Sequence, residues 1–304
     1  MSTVLFEANL PLPLFGRGKV RDSYDLGDKL LIIATDRISA FDFVLPSPIP
    51  DKGLVLNQLS CFWFEKTSDI MPNHLITPVD KTDSLKRYFS DKTPIPEYLI
   101  GRSMITLKAK RVLVECVVRG YISGSAWTEY KETGTISGVS APKELRESQE
   151  LPEPLFTPTT KADTGHDEPL SKKELENLVG KTTARDLEEK CLAVYRYARD
   201  YARGRGIIIA DTKFEFGFVD GKLILIDEVL TPDSSRFWDA AQYTVGRSQP
   251  SFDKQPVRDW LIASGWNKEP PAPVLPPEII KATTSRYIEA YQRLTGRTLQ
   301  NVSS

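Results

Sequence analysis

The chain has 304 residues with 40 Lys and Arg against 41 Asp and Glu, so its net charge is near zero and no basic field for nucleic acid is present. The longest apolar runs are only a few residues, which argues against a membrane span, and the N-terminus lacks the basic start and long apolar core of a signal peptide. Cys61, Cys116 and Cys191 are isolated and odd in number, so a disulfide framework is not expected; with only His74 and His166, neither is a multi-histidine zinc site. A reducing, cytoplasmic setting is the expectation.

The chain opens β-rich. Lys19–Leu26 and Lys29–Thr35 read as a hairpin turning at Gly27-Asp28. A helix is expected from about Leu54 to Ile70, then a polar, proline-punctuated loop over Lys81–Glu97. Strands return at Ser103–Leu107 and Val112–Arg119. A helix should start after Ser123-Gly124-Ser125 and stop near Gly134. Pro142–Pro169, rich in Pro, Thr and Asp, reads as a long loop closing over a site. Ser171-x-x-Glu174 is a capping-box signature. Over Ala184–Arg203 apolar residues recur at helical spacing until Gly204 and Gly206 end the run. Closing helices are expected at Pro256–Ala263 and Pro277–Leu294. Sheet, helix, sheet and then helices suggest an α+β, two-lobed protein with an interlobe cleft. The expected division is a β-rich lobe over 1–115 and an α+β lobe over 116–304.

The stretch IIIADTKFEFGFVDGKLILIDEVLTPDSSRFW, from Ile207 to Trp238, carries the most chemistry. In a strand, Asp211, Lys213 and Glu215 share one face while Thr212, Phe214 and Phe216 share the other. Charges on one strand face are ordinarily just solvated. Here the strand opens on an apolar run, and its partner Leu223–Ile226 ends in Asp227-Glu228. Carboxylates leaving buried strands are costly unless paired or bound to a cation. A two-residue Asp220-Gly221 turn would set Lys213 opposite Glu228; a three-residue loop with Gly221 left-handed would set it opposite Asp227.

Four further segments could carry anions. Gly16-Arg17-Gly18-Lys19-Val20-Arg21 combines close-approach glycines with positive charge, although a lone GxG is more often an ordinary turn. In the strand leading to Arg119, two serines follow at a helix start, where Ser125 could bind an anion or Ser123 or Ser125 could merely cap. Arg236 could hold a second anionic group, with Asp233 orienting it, binding metal through water or simply pairing with it. Asp36, Ser39 and Asp42 could bind a zwitterion or only shape a loop. Neither a P-loop nor a Rossmann fingerprint is present. Many acids, lysines and arginines with few histidines suit phosphoryl transfer.

Taken in order, GRGKVRDSYD, ATDRISAFD, ECVVRGYISGSAW, KADTGHD (Lys161–Asp167), IIIADTKFEFG and IDEVLTPDSSRFW resemble the SAICAR synthetase family from about Gly16 to Tyr291, most closely its longer, fungal-type single-function form. The resemblance implies an ATP-grasp-like fold. It also implies ATP-dependent joining of L-aspartate to the carboxylate of CAIR, a carboxylated aminoimidazole ribonucleotide, with Mg²⁺. It places Gly18, Lys19, Val20 and Arg21 over the ATP phosphates and Lys108–Val112 at the hinge beside adenine. Arg119, Ser125 and Arg236 fall on CAIR-binding positions. Asp36, Ser39 and Asp42 are carried as further substrate contacts. Lys213 falls in the reaction centre, with Asp211 and Asp233 expected as further catalytic residues, Glu215 and Asp227 match Mg²⁺ ligands, and Lys161 and Asp167 fall on a closing loop. A shared Mg²⁺ would favour the odd-length hairpin loop, because it would put Glu215 and Asp227 on one face. The rival readings are a small-molecule kinase of the inositol-phosphate kind and a non-catalytic nucleotide-binding protein. The sequence leaves the oligomeric state open, a monomer included.

Overall fold

The computed structural model describes residues 4–90, 92–161 and 168–299. In chain order the first elements are β1 (Leu14–Arg17), β2 (Arg21–Asp25), β3 (Lys29–Ala34), β4 (Ser39–Ala40), β5 (Phe43–Val44), α1 (Lys52–Lys66), β6 (Leu75–Pro78) and β7 (Ser103–Leu107). Two short 3-10 helices, Thr82–Tyr88 and Glu97–Leu99, lie within the segment expected to be loop. Then come β8 (Lys110–Arg111), β9 (Val114–Tyr121), α2 (Gly124–Thr133), β10 (Thr135–Ile136), β11 (Val139–Ser140) and β12 (Glu150–Thr160). The chain continues through α3 (Lys172–Val179), α4 (Lys181–Arg203), β13 (Ile207–Val219), β14 (Lys222–Ile226), β15 (Ser235–Asp239), α5 (Gln255–Ala263) and α6 (Pro277–Thr295).

Two antiparallel sheets organise these elements. The first runs β1-β2-β3-β7-β6 and the second β12-β9-β13-β14, with β15 and β8 also paired to β13. The fold is therefore the expected two-lobed α+β arrangement. The largest apolar core draws on both lobes: Leu54, Leu59 and Trp63 of α1 join Leu187 and Val194 of α4 and Phe214 and Phe216 of β13. His74 N donates to Leu225 O at 3.0 Å, tying the start of β6 to the hairpin β13–β14.

The segment Pro142–Pro169 departs from the loop expectation, because it contains the eleven-residue strand β12. Pro152, Pro154 and Pro158 lie inside it. A proline cannot donate to a ladder, and β12 tolerates three because it is an edge strand. Its register against β9 also shifts between Glu150 and Leu155, around the first two prolines.

Asp36 explains how α1 begins. Asp51, before the helix, has φ 64° and makes no side-chain cap. Instead Asp36 Oδ1 accepts the Gly53 N–H at 2.9 Å, while Oδ2 accepts from Leu5 N at 2.8 Å and Arg102 Nη1 at 3.1 Å. Those bonds satisfy a free amide of the first turn from outside the helix. Gly53 itself has no room for a side chain, since a Cβ would lie 2.2 Å from the Ala34 carbonyl oxygen. Gly53→Ala should therefore cost about 3 kcal/mol or more in overpacking. Urea denaturation checks it, and a midpoint equal to the parent's would refute the clash.

Candidate active site

The site forms where the neighbour of β13 changes. Along one edge of β13, β15 pairs with residues 207–212 and β14 with residues 215–219. Between those partners lies the segment 227–234, anchored by Lys213 N donating to Ser234 O at 2.9 Å. The break in pairing coincides with Lys213.

The turn of this hairpin is the two-residue one. Val219 pairs with Lys222, and Asp220 and Gly221 have φ of 49° and 75°, a primed turn matched to strand twist. The odd-length loop expected from a shared ion is therefore not formed. Glu215 pairs with Ile226, so continued alternation would set Asp227 on the opposite face. Asp227 escapes that rule because it lies beyond the ladder with φ 70°. The left-handed residue redirects its side chain towards Arg21, whose Nη2 lies 2.5 Å from Asp227 Oδ2.

Around Lys213 the charges interlock. Its Nζ donates to Glu115 Oε1 at 2.9 Å and Glu215 Oε1 at 3.1 Å. Lys161 pairs with Glu215 and lies 3.6 Å from Glu115. Arg21 Nη1 reaches Glu228 Oε2 at 3.1 Å, and Thr231 Oγ1 donates to the same oxygen at 2.8 Å. Burial alone would raise the Glu215 carboxyl, but Lys213 and Lys161 outweigh it and bring it down to about 2. Burial would likewise lower the Lys213 ammonium, and Glu215 and Glu115 instead hold it well above the ordinary lysine range. Asp227 is pushed up to about 6 by burial, with Glu215 and Glu228 adding repulsion that Arg21 only partly offsets.

That shift has a sign. The folded-state value lies above the ordinary aspartate value of 3.8, so ionising Asp227 opposes folding. The stability available below the unfolded value is lost as pH rises through the folded value. Asp227→Asn should consequently gain stability relative to the parent on going from pH 5 to pH 8, in the absence of nucleotide and divalent ions. Melting temperatures of both proteins at the two pH values test this, and a constant difference would refute it.

A cavity of about 190 Å³ adjoins this cluster, lined by Arg119, Ser125, Asp211, Lys213, Asp233, Ser234, Arg236, Lys254 and Arg258 among others. Asp211 is the shared counter-charge for two arginines. It pairs directly with Arg236 and lies 3.6 Å from Arg119 Nη1, while Arg119 Nε donates to Thr157 Oγ1 at 3.1 Å. Burial, and Arg236 alongside, lower the Arg119 guanidinium; Asp211 raises Arg236. Gly124 is required by this packing, for it has φ 57° and a Cβ there would lie 2.3 Å from Arg236 Nη2. The helix start at Ser123-Gly124-Ser125 thus makes room for an arginine as well as offering amides. Ser123 makes no side-chain cap bond.

The glycine loop lies between β1 and β2, with Gly18 N donating to Arg21 O at 2.8 Å. Arg37 braces it from behind, donating to Gly18 O and Lys19 O at 3.0 Å each and pairing with Asp22 at 2.7 Å. Lys19 is half exposed and pairs with Asp42. Lys108 pairs with Asp25 at 2.7 Å, and Val112 N donates to Phe216 O at 2.8 Å, which pins the linker between the sheets to β13.

The structure thus brings together Arg21, Arg119, Ser125, Lys161, Asp211, Lys213, Glu215, Asp227, Asp233 and Arg236. It separates Asp36, which is fully buried and bonded within the fold as described. Ser39 pairs with Val44 in the short ladder β4–β5, and Asp42 pairs with Lys19, so neither joins the arginine-lined cavity. Asp167 lies outside the described residues. Glu115, Lys254 and Arg258 were missed by sequence reading. Glu115 stood two residues along β9 from Val117, facing the strand that carries Lys213, and strand pairing could have found it; Lys254 and Arg258 sit at an ordinary proline-marked helix start and carry no such signal.

Two carboxylates with substrate phosphates form the donor set Mg²⁺ prefers, and Glu215 and Asp227 fit it. Among the described residues no group of three or more His, Cys, Asp and Glu is gathered for an all-protein metal cage. No described helix is long and apolar enough to cross a membrane.

The comparisons agree on one family. Its model, SAICAR synthetase, matches residues 14–273. The phosphoribosylaminoimidazole-succinocarboxamide synthase of Syntrophobacter fumaroxidans is 51% identical over 98% of each chain, and that of Desulfosudis oleivorans 53% identical over 97% of this chain and 100% of its own. Among solved structures, SAICAR synthase from Saccharomyces cerevisiae complexed with SAICAR superposes with TM-score 0.88 at 45% identity, covering 98% of this chain and all of that one. A SAICAR synthetase in complex with ADP gives 0.67 at 25% identity, covering 95% and 100%. The kinase alternative gains no support. With this coverage and identity, the chain belongs to the SAICAR synthetase family, the ATP-dependent ligases of purine biosynthesis that join L-aspartate to CAIR.

Proposed function

We propose that the interlocked cluster at Lys213 is the reaction centre and that the adjoining arginine-lined cavity holds CAIR. The observation that carries this reading is Asp211 on β13 clamping Arg119 and Arg236 two residues before Lys213 on the same strand. Two arginines and the Ser125 hydroxyl suit a phosphate-bearing anion. Gly18, Lys19, Val20 and Arg21 would cover the ATP phosphates, and Lys108–Val112 would flank adenine. Residues 1–115 and 116–304 serve as the two lobes on this reading.

A carboxylate is a poor electrophile and must be activated. The CAIR carboxylate oxygen attacks the γ-phosphorus of ATP, the bond to the β-phosphate oxygen breaks, and ADP leaves an acyl phosphate. The aspartate amine, having lost its proton, then attacks the acyl carbon and phosphate departs. Lys213, held protonated by its two glutamates, offsets charge growing on the transferred phosphoryl group. Lys161 adds a second positive charge to the same carboxylates. Glu215 and Asp227 would hold Mg²⁺, which when bound draws together and screens the anionic oxygens of both substrates. Asp211 and Asp233 act by holding their neighbours rather than by moving protons. Asp233, despite its burial, is kept well below the usual carboxylate range by Lys52 and Lys254, and so is a poor base.

Incubation with CAIR, ATP, Mg²⁺ and L-aspartate should give SAICAR by mass and release phosphate only when all four are present. A phosphorylated product formed without aspartate would overturn the ligase reading.

A further inference from the structure

Behind the cavity wall lies a buried network that no motif signalled. Lys52 Nζ stands 2.7 Å from Asp233 Oδ2, with the two side chains 0% and 3% exposed. The Tyr287 hydroxyl donates to Asp233 Oδ1 at 2.7 Å. Three distant parts of the chain meet here: the first residue of α1, the segment between β14 and β15, and the terminal helix α6. Asp233 lines the cavity, and the residues after it supply Ser234, Ser235 and Arg236 to the same wall.

A buried ion pair is a poor way to stabilise a fold, because desolvating both charges offsets most of their attraction. An apolar pair of the same volume would hold α1 and α6 in place as well. What the pair and the hydroxyl add is direction. The Tyr287 hydroxyl hydrogen-bonds one carboxylate oxygen and the Lys52 ammonium lies at ion-pair distance from the other, so the Asp233 side chain is held from two sides and the wall it belongs to is tied to two helices at once.

We infer that Lys52 and Tyr287 are positioning residues for recognition of the nucleotide substrate, acting through Asp233 at the cavity wall. The inference rests on the assignment of that cavity to CAIR. It makes the terminal helix and the start of α1 contributors to substrate affinity, though neither residue is among those lining the cavity.

Tyr287→Phe deletes a single oxygen and keeps the packing. Titration calorimetry of this variant should show CAIR binding about three- to tenfold weaker, as expected for one lost hydrogen bond, with ATP binding unchanged. Lys52→Met should lose more. In an Asp233→Asn background either change should have little further effect, since the group it orients is already altered. A lower melting temperature with unchanged CAIR affinity would make both residues merely structural and overturn the inference. So would an equal loss in the parent and Asp233→Asn backgrounds. If Lys52→Met does not fold, Tyr287→Phe alone still decides. Because binding is read without turnover, a parent protein that binds CAIR but forms no SAICAR would count against the ligase reading and not against this coupling.

Discussion

Lys213→Ala should fold like the parent and lose about a hundredfold or more in kcat, the cost of removing one group aimed at charge that develops in a transition state. The reasons for expecting retained folding are local. Among the described residues its Nζ bonds to Glu115 and Glu215, and its side chain is 30% exposed. The backbone N–H that anchors Ser234 is untouched by the change. Lys161 remains to offset the two glutamates. Circular dichroism establishes folding, and steady-state turnover at saturating ATP, CAIR and aspartate gives kcat. Near-normal kcat would sink the assignment of the reaction centre. Glu215→Ala should lose turnover similarly, through loss of a carboxylate that would hold Mg²⁺ and through the misdirected Lys213 ammonium.

Arg119→Ala should raise the KM for CAIR far more than the KM for aspartate. Its guanidinium lies in the cavity, braced by Thr157 and by Asp211. Removing it also leaves Asp211 with Arg236 as its remaining arginine partner, so both cavity arginines are affected by one substitution. A charge-assisted contact is worth about 1.5–3 kcal/mol, roughly ten- to a hundredfold in KM. Varying CAIR and aspartate separately distinguishes the two constants, and equal increases in both would argue against a dedicated nucleotide role.

How legible was all this in the sequence? The capping box at Ser171 and the stop at Gly134 were readable because each depends on a few adjacent residues, and both form as expected. The strand β12 was not readable, because its prolines are tolerable only at an edge and edge position is a property of the assembled sheet. The face-sharing of Asp211, Lys213 and Glu215 followed from period-two alternation, and the register agrees with it: Asp211 pairs with Arg119 and Lys213 with Val117 of β9, while Lys213 contacts Glu215. The hairpin parity failed for an instructive reason. Alternation governs residues inside a ladder, and Asp227 lies just outside one, where a single left-handed residue redirects the chain. Asp36 misled because an acid after a strand looks the same in sequence whether it meets substrate or caps a helix from a distance. Lys52 and Tyr287 were invisible, since they are separated from Asp233 by most of the chain or by a helix of ordinary composition.

The single strand β13 has one more consequence. It carries Asp211 beside Arg119 and Arg236, Lys213 between Glu115 and Glu215, and Glu215 beside Lys161. At about 3.3 Å per residue it acts as a ruler, with roughly 13 Å between the first and last of these Cα positions. A hinge elsewhere in the chain cannot alter that spacing. The separation between these three charged groups is thus built into the covalent chain.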